Sequence, residues 1–199
     1  MSLELFNSLA TFGTFLVIAG TAIAAIVQLR HARSSNQIEA LAEIREESDN
    51  PAMRSAARFI QWELQEKLKD PAFRYQVANR GAMTAENQSR WSEILGVANF
   101  YENVGALVKN GLADKNLVLD IFSTQVRINW EKLAPIVSIS RRASGDNGIW
   151  ENFEYLTVLS QDWEARYPSG TYPAGVRRIE LNYEWLEADK QYAASLAPA

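Results

Sequence analysis

The sequence has no cysteine and a single histidine, and these two absences exclude several kinds of chemistry. Without cysteine the chain has no disulfide, thiol nucleophile, thiolate zinc site or cysteine-ligated iron–sulfur cluster. The only histidine, His31, lies between Arg30 and Arg33, where contact with lipid headgroups is a better interpretation than general-base catalysis. We therefore predict no catalytic residues, no metal and no cofactor, and an enzyme is the less favoured class.

A surplus of basic residues and a phosphate-binding glycine loop are also missing. The 199 residues include 20 basic and 24 acidic side chains, so the charge balance does not favour nucleic acid as a partner. Gly105 and Gly111 have the spacing of neither a P-loop nor a dinucleotide-binding turn, and no predicted strand precedes them. The carboxylates occur in helical runs without a histidine, a pattern typical of solvated helix faces.

One stretch of the chain has no charge at all. Residues 5–29 are 25 consecutive positions without a formal charge, and a helix of this length rises about 37 Å, more than the roughly 30 Å hydrocarbon core of a bilayer. The stretch predicts a single transmembrane helix, with the lipid bilayer as a partner. We assign residues 1–33 to this anchor, and its basic flank consists of Arg30, His31 and Arg33.

The charges around the segment predict its orientation. A cleaved signal peptide has a positive region before its apolar core, whereas here Glu4 precedes the segment and Arg30 and Arg33 follow it. Because positive charges stay on the cytoplasmic side, we expect the N-terminus outside and the bulk of the chain in the cytoplasm, at a bacterial inner membrane. A cleaved signal and a buried helix of a soluble domain are the alternatives. Gly20 and Ala24 fit a helix-dimer pattern, although small residues are common in membrane helices.

Residues 34–199 predict one cytoplasmic all-α domain of about five or six helices. Apolar residues recur there at intervals of three and four, and no stretch alternates like a strand. Helices are expected to begin at five places: residues 34–36, Pro51, Thr84, Asp114 and the end of the loop at Gly148. Gly111 is expected to end the first of two central helices, and Pro135 to kink or interrupt the second. A last helix is expected around Ile179, Tyr183 and Leu186.

The two central helices contain a motif that resembles a known family. Its residues are Tyr101, Glu102, Gly105, Lys109, Gly111, Trp130, Glu131, Leu133 and Pro135. Together with the apolar segment, they resemble an uncharacterised bacterial family of N-terminally anchored helical proteins, a domain of unknown function. The resemblance extends to about Phe153 and implies a membrane-associated bacterial protein, but it implies no activity and no catalytic residues.

The motif also predicts contacts between the central helices. Tyr101, Gly105, Gly111 and Pro135 define a helical hairpin, in which Gly105 leaves room for a neighbouring helix. If the two helices pack antiparallel, Glu102 can pair with Arg127, and the competing interpretation is that both are solvated edge charges. Most of the six tryptophans are expected in the core, with Trp185 as the exception.

Two hypotheses for function follow. In the first, the chain is a protein-binding or scaffolding module at the membrane, and its partner is another protein or a second copy of itself. In the second, it is a small-ligand sensor or an enzyme with a polar site between the central helices, formed by Glu102, Arg127, Trp130 and Arg141. A deep polar pocket shared by these four side chains favours the second hypothesis, and a filled core favours the first.

Overall fold

The structure is a computed structural model, in which residues 3–196 are described, with residues 4–6 and 9 as backbone only. The expected all-α class is confirmed, because the described residues form eight α-helices, one short 3₁₀ helix and no strand. The helices are α1 (Leu3–Asp49), α2 (Pro51–Trp62), α3 (Leu64–Lys67), α4 (Pro71–Ala78), α5 (Ala85–Lys109), α6 (Lys115–Ser144), α7 (Glu151–Arg166) and α8 (Leu186–Ser195), with the 3₁₀ helix at Arg80–Ala82.

The first helix, α1, is 47 residues long and joins the apolar segment to the domain without a break. The separate helix expected to begin at residues 34–36 is therefore wrong. Serine and asparagine cap a helix only where the preceding backbone is not helical, and residues 30–36 contain no glycine or proline to stop the helix. Farther along α1, Ile44 is 3% exposed and lies in the core of the domain.

The apolar segment within α1 is long and apolar enough to cross a membrane. Its large side chains are not covered by the rest of the described chain, as Phe15 shows with 63% of its surface exposed. A buried helix of a soluble domain would pack this surface against other helices. The exposure therefore argues against that alternative. The side chains of residues 5, 6 and 9, at the start of the predicted span, lie outside the description.

Local side-chain caps begin most of the later helices, as the sequence predicts. Asn50 accepts from the Ala52 N–H before Pro51, and Thr84 accepts from the Asn87 N–H at the start of α5. Asp114 accepts from the Leu117 N–H at the start of α6. Each of these caps satisfies a backbone donor that has no partner within its own helix. The cap at Asp70, which accepts from the Ala72 N–H, begins α4 in the same way.

Three expected helix boundaries differ from the structure. α6 continues through Pro135 to Ser144, so the expected interruption does not occur. From Pro51 the apolar spacing predicts one helix up to Asp70 and Pro71. In the structure this helix ends at Trp62, and a further turn, α3, keeps Leu64 and Leu68 buried. The last helix begins only at Leu186, after the positions of Ile179 and Tyr183. In that stretch the spacing of apolar residues is not accompanied by burial, and without burial the periodicity alone does not stabilise a helix.

A single core joins α2 to α7 with the end of α1. The largest fully buried side chains are Phe73, Phe153, Ile60, Leu64, Ile94, Leu133, Ile136 and Leu156. Among the tryptophans, Trp91 and Trp150 are buried and Trp130 and Trp163 pack partly against the core, as expected. Trp62 is 79% exposed, which corrects its expected place in the core. Trp185 is exposed, in agreement with the prediction.

The chain divides into two compact units, residues 1–168 and residues 169–199. The second unit contains α8, which buries none of its residues. Within this unit the Tyr183 hydroxyl donates to the Asp189 carboxylate, and Arg178 lies over the Tyr172 ring with its guanidinium carbon 4.7 Å from the ring centre. The predicted single core thus belongs to the first unit, and the last three residues of the predicted domain lie outside the description.

Candidate functional site

The predicted hairpin between α5 and α6 is present and turns at Gly111. This residue has a φ of +68°, a left-handed conformation that favours glycine. The Leu112 N–H bonds back to the Leu107 carbonyl, which closes the end of α5. The side-chain amide of Asn129 on α6 donates to the Tyr101 hydroxyl on α5 at 3.2 Å. The two helices are therefore antiparallel neighbours, as the motif predicts.

Glu102 serves as the cap of another helix, α7. The residue before α7 is Trp150, whose φ of 54° is unusual for a non-glycine residue and whose side chain caps nothing. Glu102 instead accepts from the Phe153 backbone N–H at 2.9 Å and from the Asn152 side-chain amide at 2.7 Å. A carboxylate at a helix N-terminus is favoured both by these bonds and by the helix dipole. Glu102 thus supplies from α5 the cap that α7 lacks locally.

Gly105, one turn after Glu102, lets α7 approach the backbone of α5. A Cβ atom at Gly105 would lie 2.1 Å from the Asn152 carbonyl oxygen and 2.6 Å from its carbonyl carbon. Both atoms belong to the backbone of α7, so no side-chain rotation can make room. The sequence predicts room for a neighbouring helix at this glycine, and the structure identifies that helix as α7.

Aromatic side chains of the motif meet at Phe153, the third residue of α7. The Tyr101 ring stacks on the Phe153 ring with 4.9 Å between the ring centres. Trp130 also packs against the Phe153 ring, edge to face, with 5.0 Å between the centres. Burial raises the pKa of the Tyr101 hydroxyl well above its usual value, although the bond from Asn129 acts in the opposite direction. The motif residues Tyr101, Glu102, Gly105 and Trp130 all contact the first turn of α7, so they hold the fold together there.

The predicted ion pair between Glu102 and Arg127 is not formed. Glu102 faces the start of α7, whereas the Nε of Arg127 lies 2.6 Å from the Glu164 carboxylate near the end of that helix. Because α7 packs against both α5 and α6, it supplies separate partners to the two side chains. A Glu102–Arg127 pair follows from α5 and α6 considered alone. In the structure the third helix, α7, provides the partner of each side chain.

Arg141, the fourth candidate, joins α6 to the loop before α7. Its Nε donates to the Ile149 carbonyl at 2.9 Å, and its Nη1 lies 2.7 Å from the Glu154 carboxylate. Arg141 also lines an open cleft of about 380 Å³ together with Trp130 and Arg142. Glu102 and Arg127 do not line this cleft, so the structure brings together two of the four predicted residues.

A second surface, the groove between α2 and α5, is not predicted from the sequence. It measures about 400 Å³, and we call it the α2–α5 groove. Its lining consists of Glu47, Asn50, Ala52, Met53, Ala56, Ser89, Ser92, Glu93 and Gly96. Gly96 is exposed, and a Cβ there would meet nothing within 4 Å. The only signal in the sequence is the spacing of small residues on α5, which helix packing explains equally well.

Over residues 3–196 these features define an all-α protein with one candidate membrane helix that continues into its core. The chain belongs to the DUF4760 family, a domain of unknown function, whose family model matches residues 15–160. The match begins inside the apolar segment and ends in α7, and it confirms the resemblance to such a family. No curated protein and no solved structure matches the chain.

Proposed function

We propose that this protein is a single-pass protein of a bacterial inner membrane whose helical domain binds a protein partner at the cytoplasmic surface. The observation that supports it is the continuity of α1, which includes both the exposed apolar segment and the buried Ile44. The domain is thus attached to its anchor by a helix and not by a flexible linker. A retained segment fits this arrangement better than a cleaved signal, because cleavage near Ala24 would cut through the helix.

The α2–α5 groove is the surface we assign to the partner. Ala52, Met53 and Ala56 of α2 and Gly96 of α5 give it a largely apolar floor with small side chains, which suits the apolar face of a helix. The charged side chains of its lining, Glu47 and Glu93, are both acidic. We therefore propose an amphipathic segment with basic residues as the occupant.

A small-ligand sensor or enzyme is less well supported. The cleft lined by Trp130 and Arg141 is open, and Arg141 already has the Glu154 carboxylate and the Ile149 carbonyl as partners. Glu102 and Arg127 are held by α7 away from this cleft. The condition that favours such a site, a deep pocket shared by four polar side chains, is not met.

The topology predicts opposite results for two C-terminal fusions. A fluorescent protein that folds only in the cytoplasm is expected to fluoresce when fused after Ala199, and alkaline phosphatase at the same position is expected to be inactive. The physical reason is the position of Arg30 and Arg33 after the apolar segment, which keeps that side in the cytoplasm. Phosphatase activity without fluorescence would show that the proposed orientation is reversed.

Partner binding predicts that cross-linking depends on position along α5. A photo-crosslinking amino acid in place of Gly96, in the groove, is expected to give an adduct in native membranes, and the same residue in place of the exposed Asn103 is not. Ala52→Glu, an exposed change at the groove, should abolish the adduct. Mass spectrometry should place the adduct on a basic helical segment. Equal yields at Gly96 and Asn103, or no adduct at either, would refute the groove as the binding site.

A further inference from the structure

The connection between α5 and α6, taken with the adjoining helix ends as residues 109–117, lies beside the part of α1 that leaves the apolar segment. We call it the α5–α6 tip. The side-chain amide of Gln37 donates to the Gly111 carbonyl at 3.3 Å. A Cβ atom at Gly111 would lie 3.3 Å from the Nη2 of Arg33. The tip is therefore held against the turns of α1 that directly follow Leu29.

The helical rise of α1 places these contacts at a defined height. Arg33 is four residues beyond Leu29, about 6 Å along the axis, and Gln37 is eight residues beyond it, about 12 Å. The polar headgroup layer on each side of the hydrocarbon core is roughly 5–7 Å thick. If the hydrocarbon ends at Leu29, Gly111 lies at the outer edge of this layer. The apolar segment is longer than the hydrocarbon core is thick, so α1 can tilt in the membrane. A tilt toward the tip brings Gly111 into the headgroup layer.

The direction of the helices makes the tip one end of the domain. The α2–α5 groove places Glu47 of α1 beside Gly96 of α5, whereas Gln37 contacts Gly111. α5 thus runs antiparallel to α1, toward the apolar segment, and α6 runs away from it. The loop that follows α6, with Asn147, lies at the opposite end, because the 30 residues of α6 extend about 45 Å.

The side chains of the tip have the chemistry of a membrane-surface contact. Leu112 is 57% exposed and Leu117 is 42% exposed, although transfer of an apolar side chain of this size out of water is favourable in free energy. Lys115 is exposed, and Lys109 lies 3.4 Å from the Glu151 carboxylate. The Asp114 carboxylate is engaged in capping α6. With Arg30 and Arg33 on α1, the basic side chains at this end can attract anionic lipid headgroups.

We propose that the α5–α6 tip docks on the bilayer surface that α1 crosses, with Leu112 in the headgroup layer and Lys115 against anionic lipids. This inference rests on the proposed membrane anchoring. Docking at the tip adds a second contact to the anchor and directs the far end of the domain, including the loop at Asn147, away from the membrane. The α2–α5 groove then stands above the surface, accessible to a partner.

The absence of cysteine allows a direct test with single labels on the full chain. An environment-sensitive fluorophore is attached to Leu112→Cys, Asn147→Cys or Val17→Cys, and each variant is placed in nanodiscs containing anionic lipid. The Leu112 label is expected about 15–20 Å from the bilayer centre, shielded from iodide and quenched by headgroup nitroxide lipids. The Asn147 label should be quenched by iodide only, and the Val17 label by nitroxides deep in the acyl chains.

The three labels separate failure of the tip from failure of the anchor. If the Leu112 label is as accessible to iodide as the Asn147 label while the Val17 label stays shielded, the anchor holds and docking of the tip is refuted. If iodide also reaches the Val17 label, the proposed membrane function fails as well. Because Leu112 is exposed, the cysteine variant should unfold at the temperature of the unchanged chain.

A charge reversal tests the lipid chemistry of the contact. Lys115→Glu should lower the headgroup quenching of the Leu112 label in anionic nanodiscs, and zwitterionic lipid should have the same effect on the unchanged chain. Lys69→Glu makes the same change of charge at an exposed position between α3 and α4 and should leave the quenching as it is. Equal effects of the two variants would overturn the assignment of anionic headgroups to the tip.

Discussion

Gly105→Ala is expected to lower the free energy of unfolding of the domain by about 3 kcal/mol, at the upper end of the usual penalty for overpacking. The added Cβ would be 2.1 Å from the Asn152 carbonyl oxygen, so α7 must move away from α5. That movement also lengthens the hydrogen bonds that Glu102 accepts from the first turn of α7. For a domain of this size we expect the unfolding midpoint to fall by roughly 6–12 °C.

The matched control is Gly96→Ala on the same helix. A Cβ at Gly96 meets nothing within 4 Å, and alanine is the better helix former. The free energy of unfolding of this variant should therefore rise by about 0.5–1 kcal/mol. Circular dichroism of the full chain in mild detergent, during thermal unfolding, measures both changes. If the two alanine variants shift the midpoint in the same direction, the close approach of α7 to α5 is not as the structure describes it.

Glu102→Ala is expected to lower the free energy of unfolding by about 2 kcal/mol, because it leaves the N-terminus of α7 without its cap and removes a charge-assisted hydrogen bond. Glu102→Gln, which keeps an oxygen acceptor but loses the charge, should cost less. Arg127→Ala removes a partly exposed ion pair with Glu164, and we expect it to cost about 1 kcal/mol or less. Chemical unfolding in detergent gives all three values on one scale.

A double-mutant cycle distinguishes the two assignments of Glu102. If Glu102 and Arg127 act independently, the costs of their alanine variants should add within about 0.5 kcal/mol. Arg127 and Glu164, which are in contact, should show a measurable coupling in the same experiment. A coupling of about 1 kcal/mol or more between Glu102 and Arg127 would support the ion pair predicted from the sequence and contradict the cap on α7.

The motif of the two central helices gains a physical meaning from these contacts. Tyr101, Glu102 and Gly105 lie within five residues of α5, and Trp130 joins them from α6. All four act on Phe153 or its neighbours, which stand 20 or more residues further along the chain. A motif that positions a third helix needs no ligand to account for it. The surfaces to which we assign binding, the α2–α5 groove and the α5–α6 tip, lie mainly outside it.

The sequence by itself determined what depends on neighbouring residues. The uncharged run in α1, the caps at Thr84 and Asp114 and the left-handed turn at Gly111 follow from composition or from contacts within four residues. These features predicted the all-α class, the candidate membrane helix and the central hairpin. The continuity of α1 past residue 33 was missed, because capping residues do not by themselves stop a helix.

Only the tertiary structure decided which side chains meet across long separations. The two central helices by themselves allow either a Glu102–Arg127 pair or two solvated charges, yet α7, which follows both helices in the chain, supplies a partner to each side chain. Trp62 and Trp91 are both expected in the core from their residue type, yet Trp62 is exposed and Trp91 is buried. The periodicity of a helix identifies its apolar face, but the crossing of helices decides which part of that face is covered.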